Sequence, residues 1–195
     1  MANIRALHSV GESIVTFLNN TYPGGAGMPA CRFQLVSSGY LDAQTEGENG
    51  VVSLFLYRAT VNEHLRQQRP DRMSPEQAAP LGLDLHFLLS AWFDNAVDEL
   101  VSMAWAMRQL HQHPILDASS LSPDGGWSPE EVIQLIPSEL STEDMMRIWD
   151  ALKPSYRLSV SYIARRVRVD PDVIDAGRPV VARRLIWGEP SGSAP

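Results

Sequence analysis

The sequence has a single cysteine, no long apolar run and few basic residues, and each scarcity excludes a class of protein. Because Cys31 has no partner within the chain, an internal disulfide and a cysteine-based metal cluster are excluded. No stretch approaches the ~20 apolar residues of a membrane-spanning helix. The N-terminus also lacks the basic, apolar and small-residue pattern of a secretory signal, so we expect the chain to start in the cytoplasm.

The charge is negative overall but unevenly distributed. The net charge of −7 argues against a nucleic-acid binder. Residues 1–150 contain 8 basic and 19 acidic side chains, a balance of −11, whereas residues 151–195 contain 8 basic and 4 acidic ones, a balance of +4. This asymmetry is compatible with a basic edge of one subunit meeting an acidic face of another. It is equally compatible with two solvated faces of one monomer.

The first third of the chain predicts a helix followed by two strands. Apolar residues recur at helical spacing over residues 4–18, and Pro23 with the glycines after it ends the pattern. Residues 31–37 and 51–58 are typical strands, separated by a predicted loop from Ser38 to Gly50. The second strand is apolar on both faces, which predicts a central position. Residues 59–81 form a long connection, for which we expect a role in partner contact.

The remainder of the chain predicts three more strands and two helices. The strand over residues 83–89 and the short strand over 132–136 flank a helix from Ala96 to Gln112 and a Ser/Pro/Gly loop over 119–130. A second helix is capped at Ser141, with Asp144 completing a capping-box pattern. The inward stripe of the first of these helices is predicted to contain Val97, Leu100, Val101, Ala104, Met107 and Leu110.

The last long strand predicts a β-bulge. Apolar residues alternate from Leu158 to Ala164 and then shift phase across Arg165 and Arg166, as expected where one extra residue enters a strand. Residues 1–170 are therefore predicted to form one α/β (α+β) domain, with a single mixed or antiparallel twisted sheet and about three helices. Residues 171–195 are predicted to form an extended C-terminal arm and flexible tail, in which residues 180–187 are typical of a detached strand.

Catalytic and metal-binding patterns are weak. His111 and His113 offer two metal nitrogens, with His86 or Asp84 as a third ligand. However, side chains two positions apart diverge on a helix, and a helix C-terminus favours cationic residues. No catalytic residues, cofactor or metal are therefore predicted, although a small metal-binding domain or enzyme that uses these histidines is kept as an alternative.

Arginines in the basic C-terminal region are the strongest interface signal. They could contact phosphates, with Tyr162 and Trp187 stacking on bases, or they could mark the solvent side of a strand or protect the edge of a sheet. Pairing with carboxylates across a protein interface is preferred, because arginine makes bidentate contacts and the rest of the chain is acidic. The interface candidates are Arg58, Asn62, Arg66, Arg165, Arg166, Arg168, Arg183, Arg184 and Trp187.

A succession of segments resembles the N-terminal domain of the cap, or tail-terminator, proteins of phage-tail-like contractile injection systems. These are the particles of the antifeeding-prophage and Photorhabdus-virulence-cassette kind. The resemblance extends over roughly residues 4–170 and rests on Leu56-Tyr57-Arg58 with Asn62 and Leu65-Arg66, the strand over 83–89, the segment over 110–116, the helix over 140–152 with Trp149, and the strand over 156–162.

This resemblance implies a tail-terminator-like fold and a homohexameric ring without cofactor or catalysis. The ring would end the inner tube and the sheath, with the inner tube protein and the sheath protein as partners. Assembly in the cytoplasm is implied, and the sequence leaves open whether the particle is released. A monomeric adaptor for such a particle is the remaining alternative.

Overall fold

A computed structural model of the chain describes residues 2–25, 27–43, 49–62 and 80–171. The strands are β1 (Arg32–Val36), β2 (Val51–Val61), β3 (Leu81–Trp92), β4 (Ile115–Asp117), β5 (Val132–Pro137) and β6 (Ser159–Val169). The α-helices are α1 (Ala6–Thr21), α2 (Ser38–Ala43), α3 (Ala96–Gln112) and α4 (Thr142–Asp150), and a 3₁₀ turn covers Pro123–Gly125.

All six strands belong to one sheet in the order β1-β2-β3-β6-β5-β4. β1 pairs with β2 in parallel, and every other pairing is antiparallel. The mixed sheet and the α/β class predicted from the sequence are confirmed. β2 and β3 lie in the interior of the sheet, which explains why residues 51–54 are buried on both faces.

One face of the sheet, which we call the inner face, is covered by α1 and α3. Val10, Ile14 and Leu18 of α1 pack with Met103 and Trp105 of α3 in the main hydrophobic core. The strands contribute the residues on alternate positions, because side chains of a strand point to opposite faces in turn. The buried strand residues of this core are Phe33, Val52, Leu54, Leu83, Leu85, Phe87, Leu89, Ala91, Leu116, Ile133, Leu135, Tyr162, Ala164 and Val167.

The opposite face, which we call the outer face, has a smaller core at one end of the strands. Trp149 of α4 and Leu41 of α2 pack with Val51, Leu88 and Trp92. The Trp92 and Trp149 rings lie 6.0 Å apart in an edge-on arrangement. This second core therefore covers the end of the sheet where β2 begins and β3 ends.

Serines on the buried side of α1 attach the helix to the predicted Ser/Pro/Gly loop. Ser9 Oγ donates to the Ser122 carbonyl at 2.8 Å, and the Ser122 amide donates to Ser13 Oγ at 2.7 Å. Trp127 Nε1 also donates to Ser9 Oγ at 2.9 Å. The buried hydroxyls of Ser9 and Ser13 are thus satisfied by hydrogen bonds, as burial requires.

The structure corrects two predictions in the first third of the chain. The sequence predicts a loop from Ser38 to Gly50, yet this segment begins with α2. The hydrogen bond from the Leu41 amide to the Ser37 carbonyl, 3.1 Å long, closes its first turn. Ile4, which the apolar periodicity includes in the first helix, lies before α1 and is exposed.

The predicted inward stripe of α3 is also wrong. Of its six residues only Leu110 is buried, and the helix instead turns Ser102, Met103, Trp105 and Ala106 toward the sheet. The reason is that α3 is apolar on both sides, so periodicity alone cannot choose between them. Packing of Trp105 against Tyr22 and Phe33, with ring centroids 4.7 and 5.8 Å apart, decides the orientation.

Within the described ranges, no helix has both the length and the apolar character needed to cross a membrane.

Candidate interface surface

The predicted bulge in β6 is confirmed, and it organises a polar cluster around Asp84. Arg165 and Arg166 together lie opposite Asp84 of β3, between the pairs Leu85–Ala164 and Leu83–Val167. Arg166 has a left-handed φ of 67°, and its amide donates to Asp84 Oδ1 at 3.2 Å. Two residues opposite one is the defining pattern of a β-bulge. The bulge therefore supplies a backbone donor to the carboxylate.

Asn62, at the end of β2, completes the support of this carboxylate. Its Nδ2 donates to both carboxylate oxygens of Asp84, at 2.9 and 3.1 Å. With the Arg166 amide, the half-buried carboxylate accepts three hydrogen bonds, which satisfy it within the chain and fix its position. Asp84 therefore holds together the ends of three neighbouring strands.

His86 lies next to Asp84 on the same face of the sheet. Its Nε2 is 3.2 Å from Thr60 Oγ1, and its ring packs edge-on to Tyr57. Burial lowers the pKa of His86, as do the nearby charges of Arg58 and Arg165, while Asp84 opposes the shift. His86 is therefore neutral at neutral pH, and Arg58 and Arg165 both face it.

These residues form one surface that we call the Asp84 cluster, consisting of Arg58, Thr60, Asn62, Asp84, His86, Arg165 and Arg166. Four of the nine interface candidates belong to it. The structure brings them together because antiparallel pairing aligns the end of β2 with the start of β3 and the end of β6. Arg58, Arg165 and Arg166 are exposed. Three arginines on one surface suit carboxylate-bearing partners.

An apolar patch continues the same face toward β4. It consists of Ile115, Val132, Ile136 and Ile163. Across the strands, Ile115 is paired with Gln134, Val132 with Asp117, and Ile136 with Ile163. Ile115 is 58% exposed and Val132 is 46% exposed. The four residues belong to neither hydrophobic core. We call this patch and the Asp84 cluster together the bare sheet face.

Arg168, another of the interface candidates, makes its contact elsewhere. Arg168 Nε donates to Asp170 Oδ1 at 2.7 Å, and the Asp170 amide donates to the Ala2 carbonyl at 2.8 Å. Arg168 therefore helps to join the end of β6 to the N-terminus. Arg66, Arg183, Arg184 and Trp187 lie outside the described residues.

Two alternative interpretations of the arginines are corrected by the structure. β6 lies between β3 and β5, and Arg165 registers with Gln134 of β5, so Arg165 does not protect a sheet edge. Tyr162 is buried on the inner face, and burial raises its pKa to about 12. It cannot stack on a base beside arginines of the outer face.

Of the two histidines at the end of α3, His113 contacts other residues of the chain and His111 does not pack against the core. His113 Nδ1 lies 3.0 Å from the Gln109 carbonyl oxygen, and its ring packs 5.0 Å from that of Phe17. His111 is exposed on the outside of α3. Among the residues that the structure describes, no group of three His, Cys, Asp or Glu side chains is arranged to hold a metal ion.

A depression rich in serine lies beside α4. It has a volume of about 750 Å³ and is open to solvent, and its lining residues include Ser138, Ser141, Ser159 and Ser161. Three of these hydroxyls have structural partners. Ser141 caps α4, Ser159 Oγ donates to the Arg157 carbonyl, and Ser161 Oγ lies 3.0 Å from the Tyr57 hydroxyl. The lining contains no histidine that could activate a serine.

Sequence reasoning did not place Thr60, Asp84 and His86 among the interface candidates, and it considered Asp84 and His86 only as metal ligands. The sequence did contain a signal for them, because Asp84 and His86 alternate with apolar residues in a strand whose other face is buried. This alternation predicts that one face of the strand is polar. It does not show which strands lie beside it, because that depends on the order of strands in the sheet.

The chain as a whole matches a known protein family. The match is to the Pvc16 N-terminal domain and extends over residues 9–183. The chain belongs to the Pvc16 N-terminal domain family. The family resemblance predicted from the sequence is confirmed.

Two solved structures share the fold of this Pvc16 N-terminal domain protein. One is the PVC sheath/tube terminator of an extracellular contractile injection system in the extended state, with a TM-score of 0.54 and 17% identity over 98% of this chain. The other is the anti-feeding prophage cap, a tube-terminating cap, with a TM-score of 0.54 and 14% identity over 96% of this chain. The chain spans just under two thirds of their lengths, 65% and 62%. No curated protein matches the sequence.

Proposed function

We propose that this protein is a terminator of a contractile injection system. In this proposal six copies form a ring that ends the inner tube and the sheath, stops polymerisation and anchors the sheath. The supporting observation is membership of the Pvc16 N-terminal domain family over residues 9–183, together with a fold shared with two terminator structures. The role is structural and needs no cofactor.

A terminator needs two unlike surfaces. One must match the end of a polymer, and the other must not offer the same end again, because a head-to-tail contact that never closes produces a filament. The sheet of this protein meets that need in principle, since among the described residues one face is covered by two helices and the other is covered only at one end. With two unlike faces, one face can bind the end of the polymer while the other does not offer the same binding surface to a further subunit.

The Asp84 cluster is the proposed polar contact of this terminator. The backbone amide of Arg166 is fixed by its hydrogen bond to Asp84, and Asp84 and His86 have polar partners within the chain. The exposed arginine side chains of the cluster are therefore available to a partner, and arginine favours carboxylates. The partner surface is therefore expected to be acidic, whether it belongs to the tube, the sheath or a second copy.

The C-terminal arm is proposed to join the sheath. Residues 180–187 consist of two adjacent arginines between two apolar runs, and an apolar-basic segment of this kind could add a strand to a partner sheet. Main-chain hydrogen bonds would give affinity, and Arg183, Arg184 and Trp187 would set the register. Deletion of residues 178–195 is expected to abolish sheath attachment, and unchanged attachment would remove this part of the proposal.

Polymerisation of the inner tube protein in vitro tests the terminator role. Tubes grown with this protein are expected to stop growing and to carry it at one end, as seen by negative-stain electron microscopy with a gold label. A variant in which Arg58, Arg165 and Arg166 become glutamate should bind the tube or its neighbours less well. Continued growth of tubes with the labelled protein bound along their length would refute the role.

The assembly is proposed to take place in the cytoplasm, before any release of the particle. Mass measurement of the free protein separates the ring former from a monomeric adaptor. If the protein stays monomeric both in solution and on the tube end, the adaptor alternative is preferred.

A further inference from the structure

A second uncovered apolar surface lies on the far side of the molecule from the bare sheet face. It is the outward side of α3, which we call the α3 stripe and which consists of Val97, Leu100, Val101, Ala104 and Met107. Val97 is 70% exposed and Leu100 is 58% exposed. These positions follow the i, i+3, i+4, i+7 spacing that normally faces a core. A helix that turns such a stripe to solvent has an unmet partner.

The two surfaces are on opposite sides of the sheet. α3 packs on the inner face through Met103, Trp105 and Ala106, so its stripe points away from that face. Ile163 pairs with His86, and both lie on the outer face. A contact between the α3 stripe of one copy and the bare sheet face of another is therefore head-to-tail rather than reciprocal.

The charges around the two surfaces are complementary. The exposed Asp94 lies just before α3, whereas the exposed Arg108 and His111 lie near its end, on the side of the stripe. The bare sheet face is arranged in the opposite sense, with basic Arg58 and Arg165 over β2 and β6 and with acidic Asp117 on β4. Opposite charges at both ends of an apolar centre fix the orientation of a contact.

The dimensions of the two charge patterns also agree. From Asp94 to Arg108 is about 14 residues, or ~21 Å at 1.5 Å per residue. From β4 to β2 is four strand spacings, or ~19 Å. Acidic and basic ends of the helix can thus reach their opposites on one sheet face.

We propose that neighbouring copies of this protein are joined by the α3 stripe of one copy docked on the bare sheet face of the next. In the described part of the chain no helix covers this half of the outer face, and the docked helix would add a layer there, as helices do on the faces of α/β sheets. The inference rests on the proposed ring, for which it names the two contacting surfaces.

Complementation of two defective variants tests this contact. Leu100→Glu damages the stripe, and Ile115→Glu with Val132→Glu damages the sheet face. Each protein alone is expected to lose association by at least about 30-fold, because a central contact is worth roughly 2 kcal/mol or more. A mixture of the two is expected to form a 1:1 heterodimer in native mass spectrometry, since one intact stripe can meet one intact sheet face. Met146→Glu, at an exposed apolar residue of α4, is the matched control and should leave association unchanged.

Cross-linking tests the same contact at high protein concentration or on tube ends. A chain with both Leu100→Cys and Ile115→Cys is expected to give a ladder of dimers, trimers and larger products with a short bifunctional maleimide. Either substitution alone should give none, and neither should the parent chain with only Cys31. Dimers from Leu100→Cys alone would overturn the inference in favour of a reciprocal helix contact. Absence of products from the double variant would overturn it as well.

Failure of this inference is distinguishable from failure of the terminator role. If the Leu100→Glu protein still forms rings and still limits tube length, the contact is wrong and the terminator role stands. If tube length does not depend on the protein at all, the terminator role itself is wrong.

Discussion

At the scale of single residues, Gly50 joins three strands. Its amide donates to the Trp92 carbonyl at 3.0 Å, and its own carbonyl accepts from the Arg32 amide at 2.9 Å. Its φ of 82° is left-handed, and a Cβ there would lie 2.8 Å from the Ala30 carbonyl oxygen. Only glycine meets both requirements without strain.

Gly50→Ala is therefore expected to lower the free energy of unfolding by about 1–3 kcal/mol. Urea denaturation measures the change. Gly24→Ala is the matched control, because a Cβ there meets nothing within 4 Å and no left-handed φ is needed. Equal effects of the two substitutions would contradict the role assigned to Gly50.

His86 makes stability depend on pH in a defined direction. Because its pKa in the folded protein is lower than the ordinary value of 6.5, the unfolded chain binds a proton first as the pH falls. The wild-type protein is therefore expected to lose stability from about pH 7 to pH 5. His86→Gln should lose less over the same range, as measured by urea denaturation at each pH.

The source of the shift can be tested separately. Arg58→Gln removes one of the charges that lower the pKa of His86, so an NMR titration should show this pKa rising toward its ordinary value. A wild-type and His86→Gln difference that stays constant with pH would show that His86 does not carry the effect.

At the scale of secondary-structure elements, α4 is attached to the sheet mainly by Trp149. This side chain is 3% exposed and is the one buried residue of the helix. Trp149→Ala is expected to cost about 3–5 kcal/mol and to release α4 from the outer face. Met146→Ala, on the exposed side of the same helix, should stay within about 0.5 kcal/mol. Thermal unfolding monitored by near-UV circular dichroism compares the two, and similar small losses would disprove the attachment.

The features that depend on residues close together in the sequence could be predicted from the sequence. The predicted cap of α4 is confirmed, since the Asp144 amide donates to Ser141 Oγ at 3.1 Å. The predicted bulge at Arg165 and Arg166 is confirmed as well, because an extra residue in a strand shifts the apolar alternation by one position. Such features depend on residues within a few positions of one another.

The orientation of α3 could not be predicted in this way. Its sequence offers two apolar sides, and the more regular stripe, with Leu100 and Val101, favours the wrong one as the inward side. Trp105 and Met103 face the core instead, since Trp105 meets aromatic residues distant in sequence. Once the orientation of α3 is known, its exposed apolar stripe is itself informative, because an exposed apolar patch often marks a site of contact with another protein.

At the scale of the whole molecule, the interface residues could be predicted only in part. Their type, arginine in an otherwise acidic chain, was visible in the sequence, and Arg58, Asn62, Arg165 and Arg166 do lie together. Their common surface depends on the sheet order β2-β3-β6, which brings together residues about a hundred positions apart. That strand order cannot be deduced from the amino-acid composition or from the hydrophobic periodicity of the sequence.

The central claim is that this protein ends tube growth, and the length of tubes assembled without it tests that claim most directly. Particles produced with the gene deleted are measured by electron microscopy and compared with particles from a complemented strain. We predict tubes of irregular and excessive length in the deletion, and restored uniform length on complementation. Tubes of normal, uniform length in the absence of the protein would contradict the account.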